Sequence, residues 1–270
     1  MSLLSTERYI AVLGGEGVGL CRSSRDGLVW LGRADNKESE KSGWLAALEG
    51  LERLFEQVSS RGRAKLYVLV SNQFTRYCLL PWSEQIDSPG ELQNYAGICF
   101  EEIYGSLNNE WQFRFSPEAG GRTRLAAAMP AELLLSLQQS ANSRGWQLGS
   151  VQPYLMAAFN RFSKALPEDD FLFILAEPKR STLLLAQGGH WAHVRSLSSD
   201  DTDQALGILI ERERELQELE GSPVSQVYLH APGRAESPPS PVCAVLTHPL
   251  ALPLPEVGGD YLYTMAMAVL

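Results

Sequence analysis

Gly14-Gly15-Glu16-Gly17-Val18-Gly19 has the residue types of a phosphate-binding turn, because glycines let backbone N–H groups come close to an anion. A dinucleotide site requires such a turn to open a helix whose N-terminus holds the pyrophosphate. Here the turn runs into alternating, strand-like sequence at residues 18–22, so the spacing argues for a hairpin and against a dinucleotide grip. His190 and His193 are three apart, the separation of metal ligands on a helix. Their surroundings read as a strand, where an odd offset sends side chains to opposite faces, so no metal centre is expected. Neither a G-x-S-x-G elbow nor an H-E-x-x-H pair occurs, and the sequence offers no carrier for classical hydrolase chemistry.

The elements that position the glycine turn repeat along the chain. Residues 9–13, 18–22 and 28–32 read as three short strands, the last two joined by Asp26-Gly27, a pair suited to a tight hairpin. A helix follows from about Ser42, with Trp44, Leu48, Leu51, Phe55 and Val58 on one face, and residues 66–70 return as a strand apolar on both sides. Residues 171–176, 181–187 and 191–197 read as a second set of three strands, with Gly188-Gly189 as a turn. Asp200, Asp201 and Asp203 then place negative charge at a helix start, Gly221 and Pro223 stop that helix, and residues 226–230 return. Ile10 and Tyr67 are 57 positions apart, as are Phe171 and Tyr228. The sequence thus predicts an α/β protein with two lobes, each built on a βββαβ unit.

Between the two units lies more α/β sequence. After Ser71-Asn72-Gln73 an extended run covers 74–81, and the next helix has Ser88 as N-cap, Pro89 at its first position and Glu91 completing a capping box. Leu92, Tyr95, Cys99 and Ile103 form its expected buried stripe. Residues 111–115 and 124–129 read as strands, Pro130 opens a helix that Gly145 ends, 146–151 is a strand and 153–165 a helix. The acidic stretch 167–170 marks the expected boundary: a first lobe over 1–166, containing an inserted α/β subdomain at about 66–162, and a second over 167–270. Proline-rich 232–255 is expected to be irregular, with one short strand near 242–246.

Composition narrows the function classes. Lys and Arg total 23 against 32 Asp and Glu, a net charge of −9 without a local basic run, which argues against nucleic-acid binding. Cys21, Cys78, Cys99 and Cys243 are scattered and fit neither a disulfide framework nor a zinc site; they read as small buried hydrophobes of a reducing compartment. Residues 1–8 lack a secretory pattern, and the apolar 261–270 falls short of the roughly 20 residues a bilayer span needs, so the expected location is cytoplasmic. Glu211-Arg212-Glu213-Arg214-Glu215 reads as a solvated helix face with local ion pairs. Trp82, Trp111, Trp146 and Trp191 read as core residues, with binding anchors as the alternative.

The order of elements resembles the actin-like fold, and one subgroup in particular. Residues 66–82 (LYVLVSNQFTRYCLLPW), the capped helix ending at Tyr104-Gly105, and residues 125–161 look like the cytoplasmic actin-like assembly proteins of type IV pilus and type II secretion systems, of the PilM and GspL types. In actin-like ATPases an acidic residue followed by glycine ends the first strand of each lobe, where it organises Mg²⁺ and lets the backbone approach the phosphates. The matching stretches here are Val12-Leu13-Gly14-Gly15, without an Asp, and Leu175-Ala176-Glu177-Pro178, where proline removes a donor.

The resemblance therefore implies a non-catalytic cytoplasmic scaffold, recruited to the inner membrane face, with no cofactor of its own. Its partners would be proteins of an envelope-spanning assembly, including the cytoplasmic tail of a membrane protein. In pilus-type relatives the first lobe holds such a tail, which points to Phe74, Arg76, Tyr77 and Trp82 as partner-binding residues. The alternative is an ATPase with atypical loops, in which Gly14, Gly15, Glu16, Gly17 and Glu177 would hold ATP with Mg²⁺.

Overall fold

A computed structural model describes residues 6–25, 27–58, 63–106, 111–221, 223, 226–234, 246–252 and 260–269. Its first three strands, β1 (Glu7–Leu13), β2 (Gly17–Ser24) and β3 (Gly27–Asp35), form an antiparallel meander. Gly27 adopts a φ of 128°, as a tight turn requires, while its expected partner Asp26 lies outside the described residues. A short 3-10 turn at Asn36–Glu38 leads to helix α1 (Trp44–Glu56) and strand β4 (Ala64–Val70). Next come β5 (Arg76–Leu80), α2 (Pro89–Tyr104), β6 (Trp111–Phe115), β7 (Arg124–Pro130), α3 (Ala131–Ser143), β8 (Gln147–Pro153) and α4 (Tyr154–Phe162). The second βββαβ unit is β9 (Phe171–Glu177), β10 (Arg180–Gln187), β11 (His190–Leu197), α5 (Asp203–Leu219) and β12 (Gln226–His230). Strand β13 (Leu246–Pro249) and helix α6 (Tyr261–Ala266) complete the chain. Of the strand expected near 242–246, Leu246 lies in β13; positions 242–245, Cys243 among them, lie outside the described residues.

Packing divides the chain differently from the linear boundaries 1–166 and 167–270. One compact unit holds Met1–Phe74, Glu132–Arg161 and Leu252–Leu270; the other holds Thr75–Ala131 and Phe162–Ala251. The reason lies in strand pairing. Strands β4 and β8, assigned by sequence to the inserted subdomain, extend the first sheet in parallel from β1, so only 75–131 is left as the insertion. The terminal helix α6 in turn packs on β1 and β2.

In the first unit the sheet order is β3-β2-β1-β4-β8. The parallel β1–β4 step needs a crossover, and α1 supplies it. That helix buries Ala46, Ala47, Gly50, Leu51, Leu54 and Phe55, while Trp44 and Leu48 are only half-buried. The buried face is rotated from the expected stripe because small residues let the helix approach the sheet: a Cβ on Gly50 would sit 3.3 Å from Val18 Cγ2. Trp146 is core, stacked on Tyr9 at 4.4 Å and edge-on to Phe55 at 5.1 Å. Arg144 lies over both Phe55 and Trp146 and donates to the Phe55 carbonyl, so its charge is used inside the fold.

In the second unit the order β11-β10-β9-β12-β13 repeats the same senses: two antiparallel steps, then two parallel ones. All seven residues of β9 are buried, as a strand covered on both faces must be. On α5 the buried positions Leu206, Leu209, Ile210, Glu213 and Gln217 follow the helical period. Glu213 is therefore not on a solvated face as the charge run suggests; it is 2% exposed, 2.6 Å from His193 Nε2 and 3.5 Å from Arg195 on β11. Burial acts to raise its carboxyl, but the hydrogen bond and charge of His193, with Arg195 and Arg212, outweigh burial and hold it below the usual carboxylate range.

The insertion forms a three-stranded antiparallel sheet, β5-β7-β6. Ala96 and Phe100 of α2 cover Cys78, Leu80, Phe113 and Ala126 of that sheet. The capping box forms as expected: Ser88 Oγ accepts from the Glu91 N–H at 3.2 Å, and Glu91 Oε2 accepts from the Ser88 N–H at 3.0 Å. Leu92, Tyr95 and Cys99 flank the core, but Ile103 is 57% exposed because the covering face runs through Ala96 and Phe100 instead.

His230, at the end of β12, is buried, packed against Phe162 at 4.9 Å, and its Nδ1 lies 2.8 Å from the Leu250 carbonyl. Burial pushes the imidazole down to about 4, against the opposing pull of that carbonyl. Between the ordinary His value and about 4 the unfolded chain binds a proton that the folded one does not. This contribution to stability is thus intact above pH ~6.5 and is lost as pH falls towards 4, by up to about 3 kcal/mol. Denaturant titrations over that range should show the loss in the unaltered protein, and the His230→Gln variant, whatever its baseline, should show a correspondingly flatter profile.

Candidate functional site

The first glycine turn closes the β1–β2 hairpin, with the Gly14 N–H donating to the Gly17 carbonyl at 2.9 Å. Three of its carbonyls are held by one residue. Asn36 Nδ2 donates to the carbonyls of Gly14 (3.0 Å) and Gly15 (3.1 Å), and the Asn36 N–H donates to the Glu16 carbonyl at 3.0 Å. Both glycines are closely approached, Gly15 by a side-chain end and Gly14 by backbone as well. A Cβ on Gly15 would lie 2.1 Å from Gln73 Nε2, so the Gln73 amide rests against the Gly15 backbone. A Cβ on Gly14 would lie 2.6 Å from Leu262 Cδ2 and 2.8 Å from the Gly17 carbonyl oxygen.

Gln73 is placed there by the polar segment that follows β4. The Ser71 N–H donates to the Leu13 carbonyl at 2.9 Å, extending the β1–β4 pairing, and Ser71 Oγ accepts the Gln73 N–H at 3.1 Å. Asn72 Oδ1 accepts the Leu155 N–H at 3.2 Å and so satisfies one of the free donors at the start of α4. Three polar residues directly after a buried apolar strand carry the signal for such a role, since buried polar groups need partners. Sequence reading takes Ser71-Asn72-Gln73 for a simple turn and overlooks both Asn36 and Gln73.

In the other unit the corresponding turn joins β9 to β10 through Pro178 and Lys179, with Glu177 paired to Arg180 in register. Lys179 has a φ of 64°, so proline precedes a left-handed residue, the pattern of a type II turn. Glu177 is 1% exposed at the end of β9. Burial, then the like charge of Arg76, lower the Arg180 guanidinium, and Glu177 opposes them. Proline, not glycine, thus follows the acidic residue at this turn, and lysine and arginine come after it.

The four expected partner-binding residues separate. Phe74 is buried in the first unit, while Arg76, Tyr77 and Trp82 belong to the second. Tyr77 is core; its carbonyl accepts from the Tyr104 hydroxyl at 2.8 Å, and Arg76 lies over the Tyr104 ring at 5.7 Å. Trp82 is 43% exposed and walls a cavity of about 240 Å³ with Leu80, Pro81, Ile86 and Leu92. Arg122 and Arg124 also line it, with Asp87 and Ser88 among its other polar residues, and the arginines were not foreseen from the sequence. Trp191 Nε1 donates to Glu118 Oε1 at 2.9 Å and pins the β6–β7 loop that carries Arg122.

Among the described residues no group of three or more His, Cys, Asp or Glu side chains could hold a metal ion, and no helix is long and apolar enough to cross a membrane.

No protein-family model and no curated protein matches the sequence. Solved structures do. The chain is similar to one in the PilM–PilN type IV pilus biogenesis complex at 16% identity and TM-score 0.55, with 90% of this chain and 88% of that one covered. It is similar to a Bacteroides thetaiotaomicron protein with an actin-like ATPase fold at 9% identity and TM-score 0.56, covering 86% and 84%. The cytoplasmic domain of EpsL, an inner-membrane component of the Vibrio cholerae type II secretion system, gives 14% identity and TM-score 0.52, covering 97% and 94%. The chain has the actin-like fold.

The two central turn glycines separate in their tolerance to substitution. Gly14→Ala drives a methyl into backbone and a packed leucine and should destabilise the protein by about 1–3 kcal/mol. Gly15→Ala meets only the far end of the flexible Gln73 side chain and should cost less than about 1 kcal/mol. Urea denaturation of both variants measures the difference.

Proposed function

We propose that this protein is a non-catalytic actin-like scaffold that docks protein partners of an envelope-spanning machine of the type IV pilus or type II secretion kind. The observation that carries the reading is the filling of the first turn: the Gln73 amide takes the space beside the Gly15 backbone that a phosphate would need, and the Gly14 N–H is already given to the Gly17 carbonyl. In the second turn Pro178 takes the position after the acidic residue and lacks a donor, Lys179 follows with a φ of 64°, and Glu177 is buried. The side chains present therefore do not fit Mg-ATP, and no step of this reading passes through a nucleotide. Support for the kind of machine comes from the likeness to the PilM–PilN complex and to the EpsL cytoplasmic domain. Trp82 and the end of β5 serve as part of the docking face, since a tryptophan left this exposed is the residue type that anchors interfaces.

Affinity purification from cross-linked native membranes tests the reading. Identified pilus or secretion components should dominate the recovered proteins. Recovery of none of them, or a Mg-ATPase activity that Glu177→Gln abolishes, would overturn it.

A further inference from the structure

We infer that the Trp82 cavity binds an acidic peptide segment of a partner protein, taking one apolar side chain into its floor and pairing the flanking carboxylates with Arg122 and Arg124. The assignment rests on the docking role proposed above. The cavity opens where the small core of the insertion ends, at buried Leu80 and half-buried Leu92. At about 240 Å³ it falls below the roughly 300–1,000 Å³ of drug-sized ligand sites and suits one or two amino-acid side chains. Trp82 is kept at its rim rather than folded in, with its indole 3.5 Å from where a Cβ on Gly120 would stand.

Charge selects the occupant. The chain carries −9 overall, yet Arg122 and Arg124 both line this cavity, and among the described residues neither forms an ion pair. The Arg124 guanidinium reaches only the Glu118 carbonyl, at 3.4 Å. The nearby start of α2 adds little for an acid to use, because Glu91 already accepts from the Asp87 and Ser88 N–H groups. The arginines are thus the groups free to meet a carboxylate, and Asp87 is the cavity's single acidic lining residue. The Trp191–Glu118 hydrogen bond steadies the loop that presents Arg122, which lowers the ordering cost of binding. The net negative charge of the whole chain opposes long-range attraction of an acidic partner, so selection acts at contact and shows in dissociation more than in association.

Two capped peptides test this with the whole protein: acetyl-Asp-Asp-Phe-Leu-Asp-Asp-amide and acetyl-Lys-Lys-Phe-Leu-Lys-Lys-amide. Affinity is read by calorimetry and location by the Trp82 indole N–H resonance. The acidic peptide should bind at least about tenfold more tightly, shift that resonance, and weaken several-fold between about 50 and 300 mM salt. The double variant Arg122→Glu/Arg124→Glu should reverse the preference. Equal or absent binding of the two peptides, a bound acidic peptide that leaves Trp82 unshifted, or a preference that survives charge reversal overturns the inference. Any of those results alongside continued recovery of pilus or secretion components from membranes removes this pocket chemistry while leaving the scaffold role standing.

Discussion

The parallel pairing of β1 with β4 is the constraint from which much of the first unit follows. Its register, Glu7 with Ala64 through Leu13 with Val70, forces a crossover, and α1 is that crossover. It also brings both strands to an end at the same level, where the Ser71 N–H continues the ladder to the Leu13 carbonyl. The glycine turn after β1 and the polar segment after β4 are therefore neighbours by geometry. Once Gln73 occupies that position, Gly15 has room for no Cβ without moving it, and the turn becomes an internal joint.

The second unit meets the same topological constraint with different chemistry. Strand β9 again pairs antiparallel with one neighbour and parallel with the other, and is buried throughout. Its turn is a two-residue hairpin that needs a left-handed residue and places lysine there. Two halves with the same strand order thus close their turns by unrelated means, one by side-chain amides and one by proline and a basic pair. What is common to them is the sheet order.

Much of this was legible in the sequence because it depends on local rules. The capping box of α2 and the strands β6 and β12 stand where turn chemistry and apolar alternation put them. Long-range packing was not legible. The buried face of α1 passes through Ala46, Ala47 and Gly50, residues too small to register in a count of large apolar side chains. Glu213 sits in a charge run that looks solvated, although its spacing from Leu206, Leu209 and Ile210 puts it in the buried stripe. The return of α6 to β1 and β2, and the approach of Gln73 to Gly15, depend on where distant segments end and carry no periodic signal. Of the expected partner-binding set, sequence alone could not separate core Tyr77 from exposed Trp82, since both are large aromatics in one extended run.

The central claim is that protein groups, and not phosphates, occupy the glycine turn. Calorimetric titration of the purified protein with Mg-ATP tests it most directly. The account predicts no saturable heat up to about 1 mM nucleotide, a ligand strength of only ~4 kcal/mol at best. Saturable binding in the micromolar range that is lost on changing Glu16 or Glu177 would contradict it.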